Sequence, residues 1–288
     1  MKGKKMRSMK EFHTTMMNNA LMSEDYYLAN LHQDALNRLE TEPVKCNVVT
    51  ENFGDSAASK RKDKCEMNVT IFTGAGVSAE SNVPTFRDFA GLYSQYPIEV
   101  VTTKDGWKGS KDTFIEFWDL VKSKVEGDEE CFHPNDAHHA ISSLQRMYAD
   151  GSLHGEFNLI TTNVDTLHEQ AGSTNVIKIH GSLGDEFREV DMDGMPYLMP
   201  DVVLFGEATR HVDAMWDAIN KADLFVVVGS SLSLGGDSAM LYHAKDGGAT
   251  TVEVNTSPTG HPSFDRVIQQ PAATALPSLV ESIRKIAA

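Results

Sequence analysis

The sequence predicts an α/β protein: a Rossmann-like, doubly wound parallel sheet with a reduced small domain. Three observations carry this reading. From residue 68 onward, short β-branched runs alternate with helical patterns. Each run ends in a cluster of small or polar residues, and the first cluster, "GAGVSA" at 74–79, matches a glycine fingerprint for a nucleotide-binding turn. Apolar strands separated by helices form a parallel sheet covered on both faces, and its ligands bind at the carboxyl ends of the strands.

The elements follow in order. Residues 11–40 are expected to form a helix, with Met17, Leu21, Leu28, Leu31 and Leu39 along one face and Glu42-Pro43 closing it. Residues 50–66 are polar and charged and read as a linker, so an N-terminal helical extension with its linker (1–66) precedes the main domain (67–288). Within that domain "NVTIFTGAG", "FNLITTNVD", "NVIKIHG", "DLFVVVGSS" and "ATTVEVN" are the predicted strands, with a helical pattern at His211–Ala222. Insertions at about 88–135 and 183–199 supply the small domain. "DMDGM" (Asp191–Met195) lacks the remaining ligands of a calcium loop, and its Asp193-Gly194 predicts a hairpin turn.

Bulk properties bound the function. The 288 residues are 41% apolar and 23% charged, and the formal charge is −15. Such acidity argues against general affinity for nucleic acid or anionic membranes and is compatible with basic, lysine-rich protein partners. No apolar run is long enough to span a bilayer. The basic start (Lys2, Lys4, Lys5, Arg7, Lys10) leads into no apolar signal region, so a cytoplasmic location is expected. Cys46, Cys65 and Cys131 lie far apart and form no C-x-x-C pair, so no tetrahedral zinc site is expected.

A hydride-transferring Rossmann protein needs an acid ending the second strand, about 20 residues past the glycines, for the ribose hydroxyls. Asp88 and Glu99 are present, but neither ends a strand, which counts against a dehydrogenase. Asn163 and Asp165 alternate after the second strand, so both side chains can enter the cleft and hold a carboxamide; equally, Asp165 can cap the helix that follows. His180 ends the third strand at the ligand face, where a base of near-neutral pKa is useful. His138 and His139, in a helical stretch, read as ordinary residues. Ser230, Ser231 and neighbouring amides suit phosphate or ribose, and Asn255 suits ribose.

Taken together, "GAGVSAESNVPTFRD", "TTNVDTLHEQAG", "IHGS", "PDVVLFGE", "VVVGSSLSL" and "VEVN" resemble, in order, the sirtuin (Sir2-like) family of NAD-dependent protein deacylases, in its compact bacterial form. The resemblance covers roughly residues 68–288 and implies NAD as cofactor and an acyl-lysine protein or peptide as substrate. It implies that Gly74, Ala75, Gly76 and Ser78 line the NAD phosphates and ribose, and that Phe86 and Arg87 belong to a loop closing over the cofactor. Thr162 would lie near the ribose, Asn163 and Asp165 would hold the nicotinamide carboxamide, and His180 would be the general base. Gly229, Ser230, Ser231 and Asn255 would hold the adenosine half, with Ala272 nearby. Val203, Phe205 and Gly206 would lie along the acyl-lysine, paired as a strand between this segment and Ser233–Gly235. In the implied reaction the acyl oxygen attacks the anomeric carbon, nicotinamide leaves, and His180 activates a ribose hydroxyl. Water then completes the reaction, giving free lysine and O-acyl-ADP-ribose.

Three departures from the family pattern stand out. No cysteine occurs between "HGS" and "FGE", where the family carries two C-x-x-C pairs for a structural zinc. Thr162 replaces a glutamine and Asn82 a glycine. Trp118 and Val121 stand where members that remove acidic acyl groups carry tyrosine and arginine, which favours acetyl or longer apolar acyl groups and counts Trp118 among the substrate-binding residues. Two further readings remain: an NAD hydrolase or ADP-ribosyltransferase on the same fold, and a non-catalytic NAD or ADP-ribose sensor.

Overall fold

The computed structural model describes residues 66–83, 96–127, 132–184, 187–232 and 237–287. The expected helix at 11–40, the linker before residue 66, Phe86, Arg87 and Ser233–Gly235 lie outside the described residues. Seven α-helices and eight strands follow one another within those segments: β1 (Val69–Thr73), α1 (Ile98–Val101), α2 (Lys111–Gly127), α3 (Asp136–Ala149), β2 (Phe157–Thr161), α4 (Leu167–Gln170), β3 (Ile177–Lys178), β4 (Phe187–Asp191), β5 (Pro196–Pro200), α5 (Val212–Asn220), β6 (Leu224–Val228), α6 (Asp237–Asp246), β7 (Thr250–Val254), β8 (Arg266–Ile268) and α7 (Ala272–Ala287).

Six strands form one sheet in the order β3-β2-β1-β6-β7-β8, with every pairing parallel. The chain winds outward in one direction from β1 and in the other from β6, so the switch point lies between these two strands. This is the doubly wound class the sequence predicted. The five predicted strands are all present, although β3 is only two residues long. β8 was not anticipated, because three residues are too few to show a period and two of them, Arg266 and Val267, are exposed.

Strand side chains alternate between two cores, as the period of two requires. Val69, Ile71, Leu159, Val226 and Val228 pack with α3 and α7 through Ile141, Leu144, Leu276 and Ile283. Phe72, Ile160, Phe225 and Val227 pack on the other face with Met215, Trp216, Ile219, Met240 and Leu241 of α5 and α6. Phe72 is fully buried, and truncation of such a residue to alanine costs about 3–5 kcal/mol.

A third apolar cluster lies apart from the sheet. Val101, Trp107, Phe114, Phe117 and Trp118 enclose Met192, Met199, Val202 and Leu204. The antiparallel pair β4–β5 supplies two of these residues or their neighbours and turns at Asp193-Gly194, both with positive φ (58° and 79°), as a type I′ turn demands. The sequence expectation of a hairpin here matches this geometry. Arg188 of β4 makes a two-pronged pair with Glu207 at 2.8 and 2.9 Å, and Arg210 pairs in the same way with Asp201. The first ion pair fastens the hairpin to the segment that follows it, and the second closes that segment on itself.

Candidate functional site

The site forms where the carboxyl ends of β1 and β6 meet. Gly74 N donates to Val228 O (2.9 Å), and Gly76 N donates to Gly229 O (2.8 Å), so the two loops touch backbone to backbone. A Cβ on Gly76 would stand 2.7 Å from Gly229 Cα, and one on Gly229 would stand 2.5 Å from Val77 N. Gly229 also holds φ +60°, a region glycine enters without strain. Only glycine permits this approach. The following turns end at Asn82, whose φ of 61° lies in the left-handed region that asparagine, of the residues with a side chain, is among the best at tolerating.

Ser78, in this loop, is 1% exposed. Its Oγ donates to Asp165 Oδ2 (2.9 Å), accepts from Asn163 Nδ2 (3.1 Å) and lies 3.4 Å from His138 Nε2. Asn163 and Asp165 are therefore brought together, as their alternate spacing implied, by a hydroxyl from another strand end. Asp165 Oδ1 also accepts from Leu167 N, the first residue of α4, at 3.1 Å, although the N-cap position itself falls to Thr166 rather than Asp165. Burial raises the Asp165 pKa, while the Leu167 amide, Ser78 and Lys178 oppose the rise. The Ser78 hydroxyl, expected to line the cofactor, is thus engaged by Asp165, Asn163 and His138.

His138 overturns its reading as an ordinary helix residue. It is fully buried at the start of α3, where Asn135 caps Ala137 N and His138 Nδ1 accepts from Asn135 N (3.2 Å). That contact leaves Nε2 as the protonated nitrogen facing Ser78. His168 lies 4.9 Å away ring to ring, and its Nε2 is 2.9 Å from Thr73 Oγ1, which donates to Thr161 Oγ1 (2.8 Å). Thr161 Oγ1 accepts from Asn163 N in turn (3.0 Å), so this buried chain ends on the backbone of the site. Burial lowers His138 to about 4 and His168 to about 3, so both stay neutral at physiological pH. Sequence reasoning missed both because helical position alone does not reveal which face a histidine presents.

His180 follows β3 and is partly buried. Burial lowers its pKa below 6.5, and a hydrogen bond to the backbone of Thr162 partly offsets this. The ring is therefore neutral near pH 7 and able to accept a proton. Thr162 N and Oγ1 both reach Thr73 O, at 3.0 and 3.3 Å, so Thr162 is tied to the end of β1.

On the far side of the switch point, Ser230 is 6% exposed and its Oγ accepts from Leu232 N (3.1 Å), while Ser231 is exposed. Asn255 Nδ2 donates to Ser230 O (2.9 Å), which links the ends of β6 and β7. Glu80, beside the glycine turn, accepts from Ala273 N (2.9 Å) at the start of α7, and Ala272 is buried there. Val202 and Leu204 face the third cluster, so Val203 and Phe205 face away from it. Val203 N donates to His180 O and Phe205 N to Thr102 O, both at 2.8 Å. Gly206 follows with φ 91°. Trp118 is 7% exposed in the third cluster, its indole N–H donated to Val101 O (3.0 Å).

This donor set suits a dinucleotide. Two glycine loops meet at the switch point with no side chain between them, and the uncharged hydroxyls and amides of Ser230, Ser231 and Asn255 follow β6 and β7. An amide and a carboxylate, Asn163 and Asp165, are held together after β2, suited to a carboxamide.

Comparison with known proteins agrees. The Sir2 family model matches residues 74–191 and 184–235. An NAD-dependent protein deacylase 2 from Archaeoglobus fulgidus is 36% identical over 245 residues, covering 76% of this chain and 92% of the relative. A solved Sir2 homologue–NAD complex superposes with a TM-score of 0.64 at 30% identity, covering 77% of this chain and 91% of that chain. A Sir2 enzyme solved with a myristoylated histone peptide gives 0.55 at 31% identity, covering 76% and 92%. Fold, site and likeness converge, and the chain belongs to the Sir2 family.

Proposed function

We propose that this chain is an NAD-dependent protein lysine deacylase that passes the acyl group to ADP-ribose and releases nicotinamide. The observation that carries the reading is the shared Ser78 hydroxyl, which holds Asn163 and Asp165 together beside two glycine loops. Gly74, Gly76, Gly229, Ser230 and Asn255 would hold NAD, with Phe86 and Arg87 in the closing loop. When bound, NAD supplies the anomeric carbon that accepts the acyl oxygen once nicotinamide departs. Asn163 and Asp165 orient the carboxamide, and Asp165, partly buried, offers a carboxylate with little competition from water. His180, neutral because burial disfavours its charge, takes the proton of the ribose hydroxyl at its free ring nitrogen.

Val203 and Phe205 are presented outward by the alternation of the 202–205 segment, which supports their role against an acyl-lysine strand. The absence of an arginine at Val121 supports acetyl or apolar acyl groups over acidic ones. We also infer that the β4–β5 hairpin stands where relatives carry a zinc module, because no cysteine lies between Gly181 and Glu207. A cytoplasmic location belongs to the same proposal.

The test is to incubate the protein with NAD, with and without an acetyl-lysine peptide, and weigh the products. O-acetyl-ADP-ribose formed only with peptide supports deacylation. Plain ADP-ribose without peptide would support an NAD hydrolase, and NAD binding without turnover a sensor. Full peptide-dependent activity in His180→Ala would sink the assigned base, and stoichiometric zinc on metal analysis would overturn the reading of the hairpin.

A further inference from the structure

Lys178 stands two residues before His180 on the edge strand β3, and only 13% of its side chain is exposed. Its ammonium makes three contacts at good distance: Asp165 O at 2.8 Å, Ser182 Oγ at 3.0 Å and Glu169 Oε1 at 3.0 Å. An ammonium has three donors, and all three are used. The partners belong to two different parts of the site. Asp165 and Glu169 lie on the loop and helix after β2, which carry the carboxamide-holding pair. Ser182 lies just beyond His180.

The geometry around His180 follows from this. Lys178 and Ser182 bracket the histidine, and their contact closes a short ring of chain around it. Ser182 Oγ also accepts from Gly184 N (3.1 Å), and Leu183 N donates to Val164 O (2.7 Å), so the bracket is pinned again on its far side. A surface ion pair contributes little, but a nearly buried ammonium with three charge-assisted bonds holds its partners firmly. The same charge faces Asp165 and favours its ionised form, against the burial that raises its pKa.

We propose that Lys178 is a positioning residue that couples the carboxamide-holding loop to the loop of the catalytic base, so that Asp165 and His180 keep one fixed spacing. This rests on the deacylase reading for its consequence in turnover but not for its consequence in NAD binding. No contact of Lys178 with substrate is required. Its effect passes through the backbone of Asp165 and the hydroxyl of Ser182.

The experiment compares the full chain with Lys178→Met, which keeps the stem and loses the charge, and Lys178→Arg, which keeps charge and donors. NAD affinity is measured by calorimetry, together with kcat, KM for NAD and KM for an acetyl-lysine peptide. The methionine variant is expected to weaken NAD binding and lower kcat by about 10-fold or more, the scale of lost charge-assisted hydrogen bonds, with the peptide KM unchanged. Arginine is expected to recover most of both. Ser182→Ala, which removes one partner and leaves the charge, is expected to shift the same parameters in the same direction by less, and serves if Lys178→Met does not fold.

Unchanged NAD affinity and kcat in Lys178→Met would overturn the proposal. So would a fall in apparent kcat with NAD affinity unchanged and no rescue by arginine, since that marks a loss of folded enzyme. Absence of peptide deacylation in the unmodified chain would defeat the deacylase reading alone, and the NAD-affinity comparison would still decide the role of Lys178.

Discussion

Ser78 Oγ gives its one proton to Asp165 Oδ2 and receives Asn163 Nδ2, while His138 Nε2 faces it at 3.4 Å. A hydroxyl has one donor and two acceptor sites, so all three are engaged. Ser78→Ala leaves the buried Asn163 amide with a lost partner and the Asp165 carboxylate with one fewer donor. We expect a loss of about 1–3 kcal/mol, read as a rise in KM for NAD of about 10-fold or more with the peptide KM little changed. Calorimetric titration with NAD checks it, and unaltered affinity would show that the bridge has no role in binding.

Acid stability is set by the two buried imidazoles. His138 and His168 sit at about 4 and about 3 when folded, against 6.5 when free. Between these values the unfolded chain binds more protons, so stability is full above pH 6.5 and falls as pH drops toward the folded pKa values. Each group costs about 2 kcal/mol by pH 5. Urea unfolding at pH 7, 6 and 5 should show this decline, and His168→Gln should flatten it. A pH-independent midpoint would contradict the assignment.

The activity profile should look different from that of an exposed histidine. Burial lowers the His180 pKa, so its base form persists below pH 6.5. Peptide-dependent kcat/KM is therefore expected to hold its plateau through pH 6.5 and fall only in more acidic solution. A descending limb centred above 6.5 would show that a different group supplies the base.

Arg188 and Glu207 form the fastening between the hairpin and the outward-facing 203–205 segment, and Glu207 Oε2 also accepts from Leu204 N (2.8 Å). Removing the arginine frees a partly buried carboxylate next to that segment. Arg188→Met is expected to cost about 1–2 kcal/mol in stability, more than a single exposed pair because the contact is two-pronged. The peptide KM should rise while NAD affinity stays as it was. A rise in both would place the fastening nearer the cofactor than its position indicates.

Much of this was legible from residues. The βα alternation gave the sheet because β-branched runs leave a period that survives without an alignment. Asp193-Gly194 named its own turn because few other pairs accept positive φ twice. The spacing of Asn163 and Asp165 showed that they share a direction. It did not show that Ser78, 85 and 87 residues away, would join them. The hidden parts are those made by long-range proximity. β8 and the hydroxyl chain from His168 through Thr73 to Thr161 have no local signature, since each depends on which strands the sheet sets side by side.

The seam between Gly76 and Gly229 limits how this protein can be re-engineered. Two loops that meet through main chain alone offer a library nothing to vary, and adding one methyl group to either means moving two strands. Attempts to change cofactor preference therefore belong at side chains near the strand ends, such as Thr162 or Ser231. Together with the β1–β6 ladder beside it, the seam joins the two halves of the sheet as one body.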